Sequence, residues 1–378
     1  MSPVDHIFLY VLLFSVFYFF SKNSKYCKTE KDFWKLAIIP ILCFVVIEGC
    51  RFGRGQDYPA YKYRFEHITP SEEPQKLFLL LMQMLDIIGF NYVGAFMTYA
   101  LIFVTGTFFF IRKTFNCNEA QWMYILVLFS MLISSEHMIR QYIAMPFMFI
   151  SLGYIFRSNW KVAIISLIIV LGIHSGALVA VPFFLLFYFV YKKILPIKVT
   201  IPLLFLAYYI IPSGAFSNIG IQILESLNIT DFIGNDNFSH YIENSERWLG
   251  ADSYLEAAKQ TLITKLLQFI FDSSVLIVCY KILQINPNRL ITIFYNIISV
   301  GFIFDRLFFG YEIFQRMTGQ LYVFWFIPLS YSMYIYSKLN FQREKKKLKP
   351  YIAIALIYQI MFYIRFVFLN PKAEFIWS

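Results

Sequence analysis

Charge is scarce in this sequence: Asp, Glu, Lys and Arg make up 15% of its 378 residues, where soluble globular domains carry about a quarter. With a hydrophobic share of 59% and a mean hydropathy of +0.60, so few charges exclude a water-soluble fold. Cysteine is scarce too. The five thiols, Cys27, Cys43, Cys50, Cys117 and Cys279, show no CxxC spacing, which removes a zinc ligand set and a disulfide framework and leaves small apolar fillers. A GxSxG elbow is missing, which speaks against a serine hydrolase of that kind. No repeat relates two halves of the chain, as many transporter folds require. The outer loops defined below lack a DxD motif or a carboxylate pair at metal-ligand spacing, so neither a metal nor a cofactor is expected.

Aromatic and aliphatic residues are what the chain has in abundance. Its 44 Phe and 27 Tyr suit side chains facing acyl chains and headgroups. Apolar runs fit to cross ~30 Å of hydrocarbon cover residues 7–20, 36–48, 93–111, 122–133, 142–156, 199–211, 262–283, 290–309, 320–336 and 351–369. The stretch 162–191 is too long for one span and is interrupted by Gly172, His174, Ser175 and Gly176, so two helices meeting at His174 are expected. Residues 77–90 are short and carry Gln83 and Asp86, which fits a half-helix that does not cross. The expected fold class is an all-α polytopic integral membrane protein of roughly 12 transmembrane helices plus that half-helix. It forms a single transmembrane domain over residues 1–378, with outer loops at 51–76 and 213–260.

The positive-inside rule orients these spans. With both termini outside, the loops on the cytoplasmic side hold Lys22, Lys25, Lys28, Lys31 and Lys35, then Arg112 and Lys113, Arg157 and Lys161, Lys192, Lys193 and Lys198, Lys281 and Arg289, and Lys338 with the run from Arg343 to Lys349. Every basic cluster then falls on one side, which supports both the break at His174 and the half-helix. The net charge of +10 is largely these anchors rather than a nucleic-acid surface.

Arg51, Arg54, Lys62, Arg64, Arg140, Arg306, Arg316 and Arg365 are left over, most of them near the outer ends of helices. A cation there needs a counter-ion, a wet cavity or an anionic ligand, and Glu48, Asp57, Asp305 and Glu312 are candidate counter-ions. In the stretch from Glu48 to Tyr61, two arginines three apart, each beside glycine, can turn planar guanidinium forks toward one anion, as phosphate recognition requires. Asp57 is close enough in sequence to pair with them or to act as a base. Arg140-Gln141 opens a span after Ser134, Ser135, Glu136 and His137. His174 sits at the outward helix break, and Arg316 precedes an aromatic-rich span.

The ordered set Arg51-x-Gly-x-Gly-x-Asp57-Tyr58-x-x-Tyr61, Arg140-Gln141-x-x-Ala, His174-Ser-Gly-Ala-Leu and Arg316 resembles the EpsG-type branch of the Wzy polysaccharide polymerases. The resemblance implies a fold like that of the C-superfamily membrane glycosyltransferases. It also implies transfer of an undecaprenyl-diphosphate-linked oligosaccharide onto an acceptor repeat unit at the outer face of a bacterial cytoplasmic membrane. Under that reading Asp57, His174 and Arg140 are the catalytic candidates, and Arg51, Arg54, Arg140 and Arg316 meet the diphosphate. Tyr58, Tyr61, Gln141 and Trp248 are the saccharide candidates. The implied partners are the lipid-linked glycan, the bilayer, a chain-length regulator and a flippase protein, with no nucleic acid. Residues 213–260 interleave seven carboxylates with Phe238, Tyr241, Trp248 and Tyr254, a composition fit for either a saccharide-binding lid or a plain solvated loop. A lipid-linked oligosaccharide flippase is the alternative; its charges would be spread through the membrane depth.

Overall fold

Apolar runs become helix because lipid offers no hydrogen-bond partner to a backbone N–H or C=O, and a helix satisfies both internally. The computed structural model describes residues 3–55, 57–69, 75–211, 261–309, 312–340, 342–369 and 374–375. The chain divides into two compact units, Met1–Val181 with Leu329–Gln342 and Gln359–Ser378, and Pro182–Pro328 with Arg343–Tyr358.

The first unit holds α1 (Pro3–Ser24), α2 (Glu30–Gly49), the short strand β1 (Arg51–Phe52), α3 (Tyr58–Glu66), α4 (Lys76–Ile87), α5 (Tyr92–Thr114), α6 (Cys117–Ala120), α7 (Met123–His137), α8 (Ile139–Phe156) and α9 (Trp160–Ile173). Side-chain oxygens mark several helix starts: Thr29 accepts from the Asp32 N–H at 3.1 Å and Asn91 from the Gly94 N–H at 3.0 Å, each satisfying an orphan donor of a first turn. Phe20, Phe108 and Tyr124 pack within 5.0 Å of one another, ring centre to ring centre, and join α1, α5 and α7.

Ring pairs also fix the direction of each helix. Tyr10 reaches Glu136 while Phe20 meets Tyr124, so α1 and α7 are antiparallel. Phe103 meets Tyr142 and Phe110 meets Phe149, so α5 and α8 run parallel. Lys113 pairs with Glu30 at 2.6 Å where α5 ends and α2 begins. One end of the unit therefore gathers the start of α1, the end of α2, the starts of α5 and α8, and the ends of α7 and α9. The other end carries the basic clusters from Lys22 to Lys35, Arg112 with Lys113, and Arg157 with Lys161, as the charge rule anticipates.

The expected break at His174 is present: α9 stops at Ile173, His174 is extended at φ −164°, and a 3-10 turn follows over Ser175–Val179. The half-helix is α4, whose 12 residues span about 18 Å, well short of the bilayer. It reaches α9 because Gly172 has no side chain; a Cβ there would lie 2.4 Å from the Leu77 side chain.

The second unit contains most of α10 (Ala180–Leu185), a π-helical turn (Leu186–Val190), α11 (Ile197–Phe205) with a second π-helical turn (Leu206–Ile210), α12 (Leu262–Ile285), α13 (Arg289–Leu307) and α14 (Glu312–Tyr322). Arg289 caps the first π turn by donating to the carbonyls of Phe187, Tyr188 and Lys192, which satisfies carbonyls that a helix end leaves open. The chain continues through α15 (Phe326–Lys338), α16 (Gln342–Leu369) and β2 (Glu374–Phe375), with Arg51 opposite Phe375 in an antiparallel bridge.

Among the described residues, six helices are long and apolar enough to cross a membrane, joined by shorter apolar helices such as Met123–His137 and Trp160–Ile173. This is an all-α, multi-pass membrane architecture. Ile164, Ile165, Ile168 and Leu171 stand exposed along one face of α9, where acyl chains replace the contacts a soluble protein would need.

Candidate functional site

Arg51 and Arg54 turn toward one anion, as their spacing anticipates, and that anion is internal. Arg51 Nη1 lies 3.1 Å from Glu48 Oε2, and Arg54 Nη2 lies 3.1 Å from Glu48 Oε1. Arg51 also donates to the Glu48 carbonyl at 3.1 Å and sits over the Phe96 ring. Glu136, at the end of α7, holds the other edge of Arg54, with Oε2 3.0 Å from Nε. From α1, Tyr10 donates to Glu136 Oε1 at 2.6 Å and His6 Nε2 stands 3.0 Å from Arg54 Nη1. Two carboxylates thus face two guanidiniums in a cluster where Glu48, Arg51, Arg54 and Glu136 are each no more than 5% exposed. Burial opposes the charge on Arg54, but the oxygens of Glu136, Tyr10 and Glu48 outweigh it and hold its pKa above the ordinary arginine value.

The loop between α2 and α3 can bring Arg54 this close only because of Gly55. That residue has φ of +101°, and a Cβ would lie 2.1 Å from the Glu136 carbonyl oxygen. The backbone therefore takes a left-handed turn and lies directly on the end of α7. Beside the cluster, a small cleft is lined by Arg51 and Glu48 together with Phe96, Tyr99, Ser135 and Tyr142. Arg51 Nε has no hydrogen-bond partner among the described residues.

Arg140, on the first turn of α8, is half-buried and donates from Nε to Tyr61 Oη at 2.5 Å. Its guanidinium lies over the rings of Tyr61 and Phe78, so α3 and α4 both hold it. Burial raises the Tyr61 phenol pKa, with the Arg140 charge working against that shift, so Tyr61 stays a neutral acceptor. Phe78 of α4 touches Arg140, and Leu77 beside it fills the gap at Gly172, two residues before His174. Asp57 is the half-buried residue preceding α3, and its charge acts on Tyr61 and His137. Arg51, Arg54, Asp57, Arg140 and His174 consequently share one end of the first unit.

Of the saccharide candidates, Tyr58 is buried against Phe96 with rings 4.8 Å apart, Tyr61 accepts from Arg140, and Gln141 is buried on α8. Trp248 and the whole of 213–260 lie outside the described residues. Arg316 is half-buried on α14, in the second unit.

That second unit has a polar cluster of its own. Tyr208, on the π-helical turn after α11, donates to Asp272 Oδ2 at 2.6 Å, and Arg306 pairs with Asp305 at 2.6 Å while lying over the Tyr208 ring. Asp272 is fully buried. Arg306 and Asp305 were legible as a leftover cation and its counter-ion; Asp272 was not, because a single carboxylate within a 24-residue apolar helix leaves no local pattern.

A family model, described as the EpsG family, matches residues 34–377. The chain belongs to the EpsG family. That membership marks it as a membrane protein of polysaccharide polymerisation. The chain matches no curated protein and no solved structure. The matched region contains Glu48, Arg51, Arg54, Glu136, Arg140 and His174, while α1 with His6 and Tyr10 precedes it. His6, Tyr10 and the role of Glu136 escaped the sequence reading. An ionisable residue inside a span is itself a functional signal, and His6 at the edge of the first apolar run carried that signal.

Proposed function

We propose that this protein is a polysaccharide polymerase that transfers an undecaprenyl-diphosphate-linked oligosaccharide onto an acceptor repeat unit at the outer face of a bacterial cytoplasmic membrane. The observation that carries the reading is the gathering of Arg51, Arg140, Asp57 and His174 at one end of the first unit, opposite the end that holds its basic loop clusters. Cations at the end disfavoured by the topology rule need an anionic purpose. A lipid diphosphate supplies one.

The acceptor hydroxyl oxygen attacks the anomeric carbon of the donor sugar, the bond from that carbon to the diphosphate oxygen breaks, and its electron pair leaves with the lipid diphosphate. The hydroxyl proton passes to a base, for which Asp57 and His174 are the candidates. Negative charge grows on the departing phosphate, and guanidiniums fixed in advance stabilise it without reorganising. Arg140 and the cleft-lining Arg51 perform this role. Arg54, enclosed by two carboxylates and His6, serves to hold Arg51 and Glu48 in register. Arginine, rather than a divalent metal, neutralises the leaving group. An outer-face site and outside termini belong to the same proposed orientation, in which the site opens away from the cytoplasm.

Vesicles containing the purified protein and a defined lipid-linked oligosaccharide test this reading. They are expected to form longer lipid-linked glycans without moving substrate across the bilayer, and to do so in chelator. Transport without elongation would select the flippase. Loss of elongation in chelator, restored by a divalent ion, would overturn the metal-free mechanism.

A further inference from the structure

We infer that α1 supplies His6 and Tyr10 as positioning residues for the arginine cluster, so that the working site extends beyond the family-matched segment. The inference rests on the reading that Arg51 meets the donor diphosphate.

Four side chains enclose Arg54, and α1 provides two of them. Glu48 takes Nη2 at 3.1 Å, Glu136 faces Nε at 3.0 Å, His6 Nε2 meets Nη1 at 3.0 Å, and the Tyr10 ring lies 5.7 Å from the guanidinium carbon. A guanidinium can only donate. His6 Nε2 must therefore accept, which places the imidazole proton on Nδ1 and keeps the ring neutral. Neutrality matters because Glu48 and Glu136 already balance Arg51 and Arg54. A carboxylate at position 6 would add net negative charge next to the approach of an anionic donor, and a cation there would repel Arg54. A neutral acceptor fills Nη1 without changing the balance.

Tyr10 acts one step further out. It donates to Glu136 Oε1 at 2.6 Å, leaving Oε2 for Arg54, and its ring packs 4.5 Å from the His6 ring. Tyr10 thus fixes Glu136, one of the two carboxylates that hold Arg54, while His6 meets Arg54 itself. Arg54 and Arg51 share the Glu48 carboxylate, one oxygen each, so a shift in Arg54 turns that carboxylate and moves the Arg51 fork at the cleft. A misplacement of about an ångström at a reacting centre can lower a rate by about a hundredfold.

The test compares His6→Gln, His6→Leu and Tyr10→Phe in the full chain, in vesicles, with kcat and KM expressed per folded, monodisperse protein. A Gln carbonyl can accept from Arg54 where Leu cannot. His6→Leu and Tyr10→Phe are expected to lose about tenfold or more in kcat with kcat/KM falling in parallel, the signature of a contact made in the transition state. His6→Gln is expected to recover most of the rate. If His6→Leu merely lowers the yield of folded protein and leaves kcat per folded molecule unchanged, α1 is scaffolding and the inference fails. Equal loss in Gln and Leu variants would also sink it. Arg51→Ala run in parallel separates the two ideas. An inactive Arg51→Ala beside a fully active His6→Leu overturns only the role of α1, whereas a fully active Arg51→Ala overturns the donor reading beneath it.

Discussion

Arg54→Ala is the sharpest perturbation the buried cluster allows. Removing this side chain leaves Glu48 with Arg51, but strands Glu136 with only the Tyr10 hydroxyl on Oε1. Breaking a buried ion pair by deleting one partner typically destabilises by about 3–5 kcal/mol, because the remaining charge keeps its desolvation penalty. Unfolding entropy of about 2.1 cal/mol/K per residue gives roughly 0.8 kcal/mol/K for a chain of this length, so a loss of about 4 kcal/mol lowers the midpoint by about 5 °C. Thermal loss of monodisperse protein in detergent reads that shift. The physical cause is charge rather than lost volume, and a second substitution separates the two. Adding Glu136→Gln restores the balance of one carboxylate and one guanidinium, and is expected to return half or more of the lost stability. An unchanged midpoint in Arg54→Ala, or a double variant as unstable as the sum of the singles, would refute the buried-quartet account.

Arg140→Ala is expected to lower polymerisation about a hundredfold at normal protein level, with Arg140→Lys between it and wild type, because lysine keeps the charge and loses the planar fork; kinetics per folded molecule check this. Tyr61→Phe removes the acceptor at Arg140 Nε and should reduce the rate about tenfold to a hundredfold, the scale of one hydrogen bond to a charged group. Wild-type kinetics in Tyr61→Phe would release Arg140 from α3. Gly172→Val places branched carbon against Leu77, whose side chain already lies 2.4 Å from where a Cβ would stand. Overpacking of this kind costs about 1–3 kcal/mol, read as a lower thermal midpoint, and an unaltered midpoint would mean that α4 is free to move off α9. Single cysteines at positions 174 and 113 are expected to react with an impermeant thiol reagent from opposite faces of the membrane, and labelling of both from one face would invert the orientation argument.

Much of the fold was legible because lipid imposes simple rules. Apolar length located the helices, lysine and arginine marked the loops that share one end of the first unit, and the interruption at Gly172 to Gly176 gave the break at His174. The half-helix at 76–87 was legible from Gln83, Asp86 and its shortness. The site was legible in part: Arg51 and Arg54 announce an anion, but a spacing of three cannot say whether that anion is a ligand or Glu48. The pairing with Glu136 joins residues 82 apart, and that with His6 joins residues 48 apart. Both depend on helices meeting at one end, and no local pattern encodes that. Tyr61 as the partner of Arg140 was hidden for the same reason. Its aromatic ring reads as a saccharide platform in sequence and turns out to face inward, 7% exposed.

Charge balance settles how the two arginine groups differ. Arg54 is surrounded on every nitrogen, and two of its neighbours, Glu48 and Glu136, carry the opposite charge. Arg51 spends Nη1 on Glu48 and lines the cleft with a fork that still has donors to offer. Arg140 donates to the Tyr61 hydroxyl and lies over two aromatic faces, so α3 and α4 position its guanidinium. A ground-state diphosphate would be bound most tightly by a surplus of loose cations, and such a surplus would retain the product as firmly as the donor. Catalysis needs stabilisation that grows as charge moves onto the leaving phosphate. In the proposed transfer, one guanidinium fixed by a carboxylate and another placed against a phenol would meet that requirement, because both are already in place when the bond breaks.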